Sequence, residues 1–263
     1  MSERPQPTNI THDYPSEFCH DFLCRSYRIH ELNSIWDLVA EIERREKENG
    51  RCKFIITLDD FGQAAYTSMH SRLSSDLDDG EWLSNEKIDE TWLDGGYPRE
   101  DLNFEQKFTL RRLGFKHGLA KVKFDDVFEK CLYLHEGSRD EIVDANKDML
   151  SVVDKEAYLL EVPVEYSYET IYAFPNGYFT CDLSPFENYH LAKHLEEIYD
   201  YRLIGIGASY LAFIKGARFS EKSVDNLLAL LMKLYAKNDD PELFDFFREV
   251  LLSQRVLMLR YTE

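Results

Sequence analysis

The sequence predicts an α+β protein: a mixed or antiparallel sheet with flanking helices, built around a β-hairpin–α–β cassette at about residues 169–215 and ending in a helical C-terminus. Three observations predict it. Asn176-Gly177 sits between two β-prone runs, where a tight turn with two positive φ angles is favoured. Ser184, Pro185 and Glu187 stack three helix-start signals at one place: an N-cap, a proline in the first turn and the acid of a capping box. Residues 221–236 and 241–253 then repeat apolar side chains at helical spacing.

Within the cassette, Glu169 to Phe174 and Tyr178 to Leu183 read as the two hairpin strands. The helix runs to about Tyr199, with Leu191, Leu195 and Ile198 as its buried stripe. Leu203 to Ala208 and Leu211 to Lys215 follow as strand. Upstream, residues 34–48 read as a helix ended near Gly50, 53–58 as a strand and 61–73 as a helix. Residues 16–25 read as a short helix, 85–93 as a helix capped by Ser84, and 104–113 as a helix capped by Asn103 and ended near Gly114. Residues 119–124 read as a strand, and 125–131 and 138–150 as helices. Residues 157–166 read as a strand that Pro163 pushes towards a sheet edge or a bend. The tail 255–261 extends the last helix or adds a strand.

Residues 1–13 are polar and proline-bearing and read as a mobile tail. A compositional shift near residue 150 separates a helix-rich part, 14–150, from an α+β part, 151–263; the two are also consistent with one continuous domain. The 263 residues are 44% hydrophobic, enough apolar material to form a core. No apolar run approaches the roughly 20 residues of a membrane helix. The five scattered cysteines argue against a disulfide framework and point to a reducing, cytoplasmic setting.

The formal charge is −18. Such a chain repels nucleic acid and anionic membranes. It suits solubility or a basic partner. The acids concentrate in 76–101, where ten of them face only Lys87 and Arg99, a local net of −8. Trp82 and Trp92 lie among these acids. Asp78, Asp79, Glu81, Asp89 and Glu90 with the two tryptophans are the candidate partner-binding residues, because tryptophan anchors interface centres and acids steer a basic partner. The competing structural reading turns the tryptophans inward and lays the segment on the chain's own basic stretch, 107–123.

No motif identifies a reaction. Glu187, His190, His194 and Glu197 share one quadrant of the cassette helix, with Asp182 just ahead of it. Carboxylate and imidazole at these offsets have the reach of a metal site, which makes Glu187, His190 and His194 metal candidates and Asp182, Glu187 and His190 catalytic candidates. The competing reading is a polar flank beside an apolar stripe. Cys19, His20, Cys24 and His30 have zinc-ligand chemistry but loose spacing. Gly205 and Gly207 begin a dinucleotide fingerprint that Tyr210 breaks, and Leu211 breaks a nucleophile elbow at Ser209. A calcium loop near Gly80 fails because Ser75 and Leu77 stand where carboxylates belong. No cofactor is expected. The leading expectation is a non-enzymatic protein binding a basic protein partner, as an immunity-type or antitoxin-like inhibitor does. The alternative is a metal-dependent or acid–base enzyme at the Asp182–His194 corner.

Overall fold

A mixed seven-stranded sheet organises the chain, in the order β1-β2-β6-β3-β7-β8-β9. The structure, a computed structural model, describes residues 10–11, 22–30, 32–236 and 240–262. The sheet strands are β1 (Ile10–Thr11), β2 (Arg25–Ile29), β3 (Lys53–Thr57), β6 (Ala157–Val162), β7 (Tyr201–Ile206), β8 (Tyr210–Lys215) and β9 (Val256–Arg260). β4 (Leu93–Asp94) and β5 (Tyr97–Pro98) form a separate ribbon. All sheet pairs are antiparallel except β3 with β7, which are parallel. Strands from either side of residue 150 alternate in this one hydrogen-bonded sheet.

The helices are α1 (Ile35–Glu48), α2 (Phe61–Ser74), α3 (Phe104–Leu119), α4 (Glu136–Lys147), α5 (Pro185–Tyr199), α6 (Val224–Leu234) and α7 (Pro241–Ser253). The α+β class, the mixed sheet and the helices near the C-terminus agree with the sequence. Both faces of the sheet are covered. Phe54 and Ile56 of β3 pack on one side with Leu38, Val39 and Ile42 of α1. Ile55 faces the other side, with Leu191 and Leu195 of α5, Leu227 and Leu231 of α6, and Phe247 of α7. Strands buried on both faces carry apolar residues at successive positions, as Phe54-Ile55-Ile56 does. Among the described residues no helix is long and apolar enough to cross a membrane.

The cassette holds from its helix onward. Ser184 accepts from the Glu187 N–H, and the Glu187 carboxylate accepts from the Ser184 N–H at 2.6 Å, closing the capping box. Leu191, Leu195 and Tyr199 are buried one turn apart, whereas Ile198 is 60% exposed and lies outside the stripe. The hairpin ahead of the helix does not form. Ser167–Tyr172 is a 3-10 helix, and irregular chain leads on to α5. Tertiary burial overrides β propensity here. Residues 170–177 are buried without alternation, and the Glu169 carboxylate caps the Glu165 and Tyr166 N–H groups. Asn176 serves as a buried tie: its side chain accepts from the Thr67 hydroxyl at 2.5 Å and donates to the Ala64 carbonyl of α2. The tight turn occurs instead at Gly95-Gly96, both at positive φ (58° and 89°), between β4 and β5.

Other elements shift for identifiable reasons. β6 lies between β2 and β3 rather than at an edge, because its ladder ends at Val162 and spares Pro163. α3 passes through Gly114 to Leu119, replacing the expected stop and the first residue of the expected 119–124 strand, which does not form. Phe124–Phe128 is a 3-10 helix where a longer α-helix was expected. Two 3-10 turns, Glu81–Asn85 and Glu90–Trp92, replace the helix expected over 85–93. The 255–261 tail adds strand β9. Of the helix expected over 16–25, residues 16–21 lie outside the described residues, and Arg25 begins β2.

Candidate functional site

The cassette quadrant is spread over three local tasks. Glu187 is buried in the capping box. His190 donates through Nε2 to the Val122 carbonyl at 3.0 Å, and burial pushes its pKa below the ordinary histidine value. His194 stacks on Phe124, ring centroids 4.1 Å apart, and burial lowers its pKa as well. Glu197 reaches Lys193 and the Tyr168 hydroxyl. One face of a helix therefore aims its groups at separate neighbours instead of a common point. Among the described residues no three His, Cys, Asp or Glu side chains come close enough to hold a metal ion. Cys19 and His20 lie outside the described residues; Cys24 is half-buried and His30 exposed at opposite ends of β2.

Asp182 is 3% exposed. Burial pushes its pKa up to about 6, against the Phe179 N–H and the Cys181 thiol, which favour the carboxylate. Asp59 is a second such group, which the sequence reading passed over. It follows β3 with a left-handed backbone, φ 61°. Its carboxylate accepts from the Ser209 N–H at 2.7 Å and the Tyr210 N–H at 3.3 Å, and burial raises its pKa to about 6. The Asp59-Asp60 pair closing a strand was the available signal. Gly207 explains the nearby glycine doublet: a Cβ there would meet Asp59 Oδ2 at 2.3 Å. Asp182 is occupied by donors of its own loop and Asp59 by backbone donors of the β7–β8 turn, so both act chiefly to shape the chain around them.

The acidic segment has a small core of its own. Trp82, Leu83, Leu102 and Leu110 are buried together, with Trp92, Ile88, Leu93 and Leu113 packed on them. Trp82 is 3% exposed and donates its indole N–H to the Asp76 carbonyl at 2.7 Å. It lies against Gly114, where a Cβ would come within 2.8 Å of the ring and 2.2 Å of the Leu77 carbonyl oxygen. Trp92 is half-buried. Asp78 turns inward to Arg111 and Arg72. The tryptophans thus hold the segment on α3, and the basic stretch supplies the ion pair that seats it. The remaining acids stay outside. Asp76, Asp79, Glu81, Glu86, Asp89, Glu90, Asp94 and Glu100 are exposed and form no ion pair with a described residue, whereas Asp101 pairs with Arg99.

Asp79, Glu81, Asp89 and Glu90 of the candidate set are therefore all surface residues, Asp78 is half-buried against Arg111, and Trp82 is interior. Such a surface can attract cations and basic side chains and repel polyanions. No family model, no curated protein and no solved structure matches the chain.

Proposed function

We propose that the protein is a non-enzymatic, cytoplasmic interaction protein that binds a basic protein partner through the exposed carboxylates of 76–101, in the manner of an immunity protein or antitoxin on its toxin. One observation carries the reading: a set of exposed acids without a cationic partner among the described residues stands on a segment fastened by Trp82, Trp92 and the Asp78–Arg111 pair. Uncompensated like charges at close range repel one another. A basic partner converts that repulsion into attraction, and a fastened segment loses little freedom on binding. The occupied histidines of α5 weigh against the alternative, acid–base or metal chemistry at the Asp182–His194 corner.

The tryptophans fasten the segment rather than contact the partner, so the test leaves them in place. Wild-type chain and a D79N/E81Q/D89N/E90Q variant are used to capture proteins from source-cell lysate at low and high salt. The reading expects one stoichiometric basic protein that salt displaces and the neutralised variant fails to retain. It fails if no such protein is retained, or if retention ignores both salt and the four substitutions.

A further inference from the structure

A cavity of about 690 Å³ lies between α3, the start of β2 and the end of β6. Its size falls within the roughly 300–1,000 Å³ of small-molecule sites. α3 presents Phe104, Phe108, Thr109 and Arg112 to it from one helical face, distinct from the Leu110, Arg111 and Gly114 face that carries the acidic segment. Leu23 and Pro163 join the two phenylalanines in an apolar lining. Arg25 enters from β2, directly across the ladder from Glu161 of β6.

The lining carries two arginines, Arg25 and Arg112, and two glutamates, Glu105 at its exposed rim and Glu161. Glu161 is buried, and its two carboxylate oxygens are taken by the Tyr27 hydroxyl and by Asn49 Nδ2 at 2.7 Å. Arg25 is exposed at the mouth of the cavity and makes no ion pair with a described residue. Arg112 Nε is shut off from solvent and has no acceptor among the described residues. A buried donor without an acceptor is costly, and a guanidinium most favours an oxyanion. Among the described residues neither Glu105 nor Glu161 bonds to Arg112, so its buried Nε beside the cavity calls for a negative occupant.

We propose that this cavity binds a small organic anion, whose carboxylate or phosphate group takes Arg112 and Arg25 and whose apolar body rests on Leu23, Phe104, Phe108 and Pro163. The site is independent of the acidic surface, and its test does not involve a protein partner. Calorimetric titration of the full chain with phenyl phosphate, benzoate, inorganic phosphate and benzyl alcohol separates the contributions. An aryl anion binds at one per chain, while benzyl alcohol and inorganic phosphate each bind at least about tenfold more weakly, since one lacks the charge and the other the body. Preference for phenyl phosphate assigns a phosphate ligand, and preference for benzoate a carboxylate. R112Q and R25Q each weaken the aryl anion at least about tenfold. T109W, which fills the cavity from an exposed helix position, abolishes binding and serves as the deciding variant where an arginine replacement fails to fold. The proposal is overturned if neither aryl anion binds, if benzyl alcohol binds equally well, or if every folded variant binds like wild type.

Discussion

Arg111 and Asp78 meet in a two-point bond, Nε to Oδ1 at 2.7 Å and Nη2 to Oδ2 at 3.0 Å. The guanidinium side is 2% exposed and the carboxylate side 41%. The pair therefore lies at the boundary between the acidic segment and α3. Asp78→Ala removes this carboxylate from a buried cation while leaving the exposed acids in place. The expected cost is about 2 kcal/mol, below the range for a fully buried pair because Asp78 reaches solvent. Urea unfolding measures it. A loss within experimental scatter would mean that the apolar contacts of Trp82 alone seat the segment.

Gly114 tests the same seat from the other side. In a free helix, glycine to alanine gains about 1 kcal/mol. Here the added methyl would press on the Leu77 carbonyl and the Trp82 ring. Gly114→Ala is expected to destabilise by about 1–3 kcal/mol in spite of the helical gain. Gly50→Ala is the control, since a Cβ there meets nothing within 4 Å. Its expected effect is near zero or slightly stabilising. Equal behaviour of the two variants in thermal unfolding would remove the close-packing account of α3.

Asn176 separates a turn residue from a buried tie. In a tight hairpin turn, Asn176→Gly is nearly neutral, because glycine accepts positive φ freely. In the observed loop it deletes the acceptor for the Thr67 hydroxyl and the donor to the Ala64 carbonyl, both in buried surroundings. The expected loss is about 2–3 kcal/mol. Denaturant midpoints of N176G and wild type decide between these values.

These residues also mark what the sequence made legible. The α5 start was readable because capping is local: Ser184 and Glu187 satisfy each other within one turn. The Arg111–Asp78 seat was legible as a juxtaposition of opposite charges, and the inward tryptophans were one of its two open readings. The hairpin failed because Asn-Gly is equally good as a turn and as a buried hydrogen-bonding group, and only the distant α2 decides. The strands around Ile55 and Leu160 were readable, but the order β2-β6-β3-β7 depends on pairings more than a hundred residues apart. The cavity was missed for the same reason. Its signal was a single acid, Glu161, inside an apolar strand, and its arginines come from separate elements.

Asp182 provides a pH-dependent test of the corner. Burial raises its folded-state pKa to about 6, above the ordinary carboxylate value of 3.8. Between those values the folded chain keeps a proton that the unfolded chain has released, so its stability falls as pH rises through this window. The favourable contribution is complete below about pH 4 and gone above about pH 6. Asp182→Asn cannot titrate, yet its amide oxygen still accepts from the Phe179 N–H. The variant should therefore gain on wild type by about 2 kcal/mol as pH rises from about 4 to 7. Urea unfolding at a series of pH values reads the difference directly, with titration of the chain's other acids common to both proteins. A difference independent of pH would show that this carboxyl ionises like an exposed one, and that the loop from Phe179 to Ser184 is hydrated.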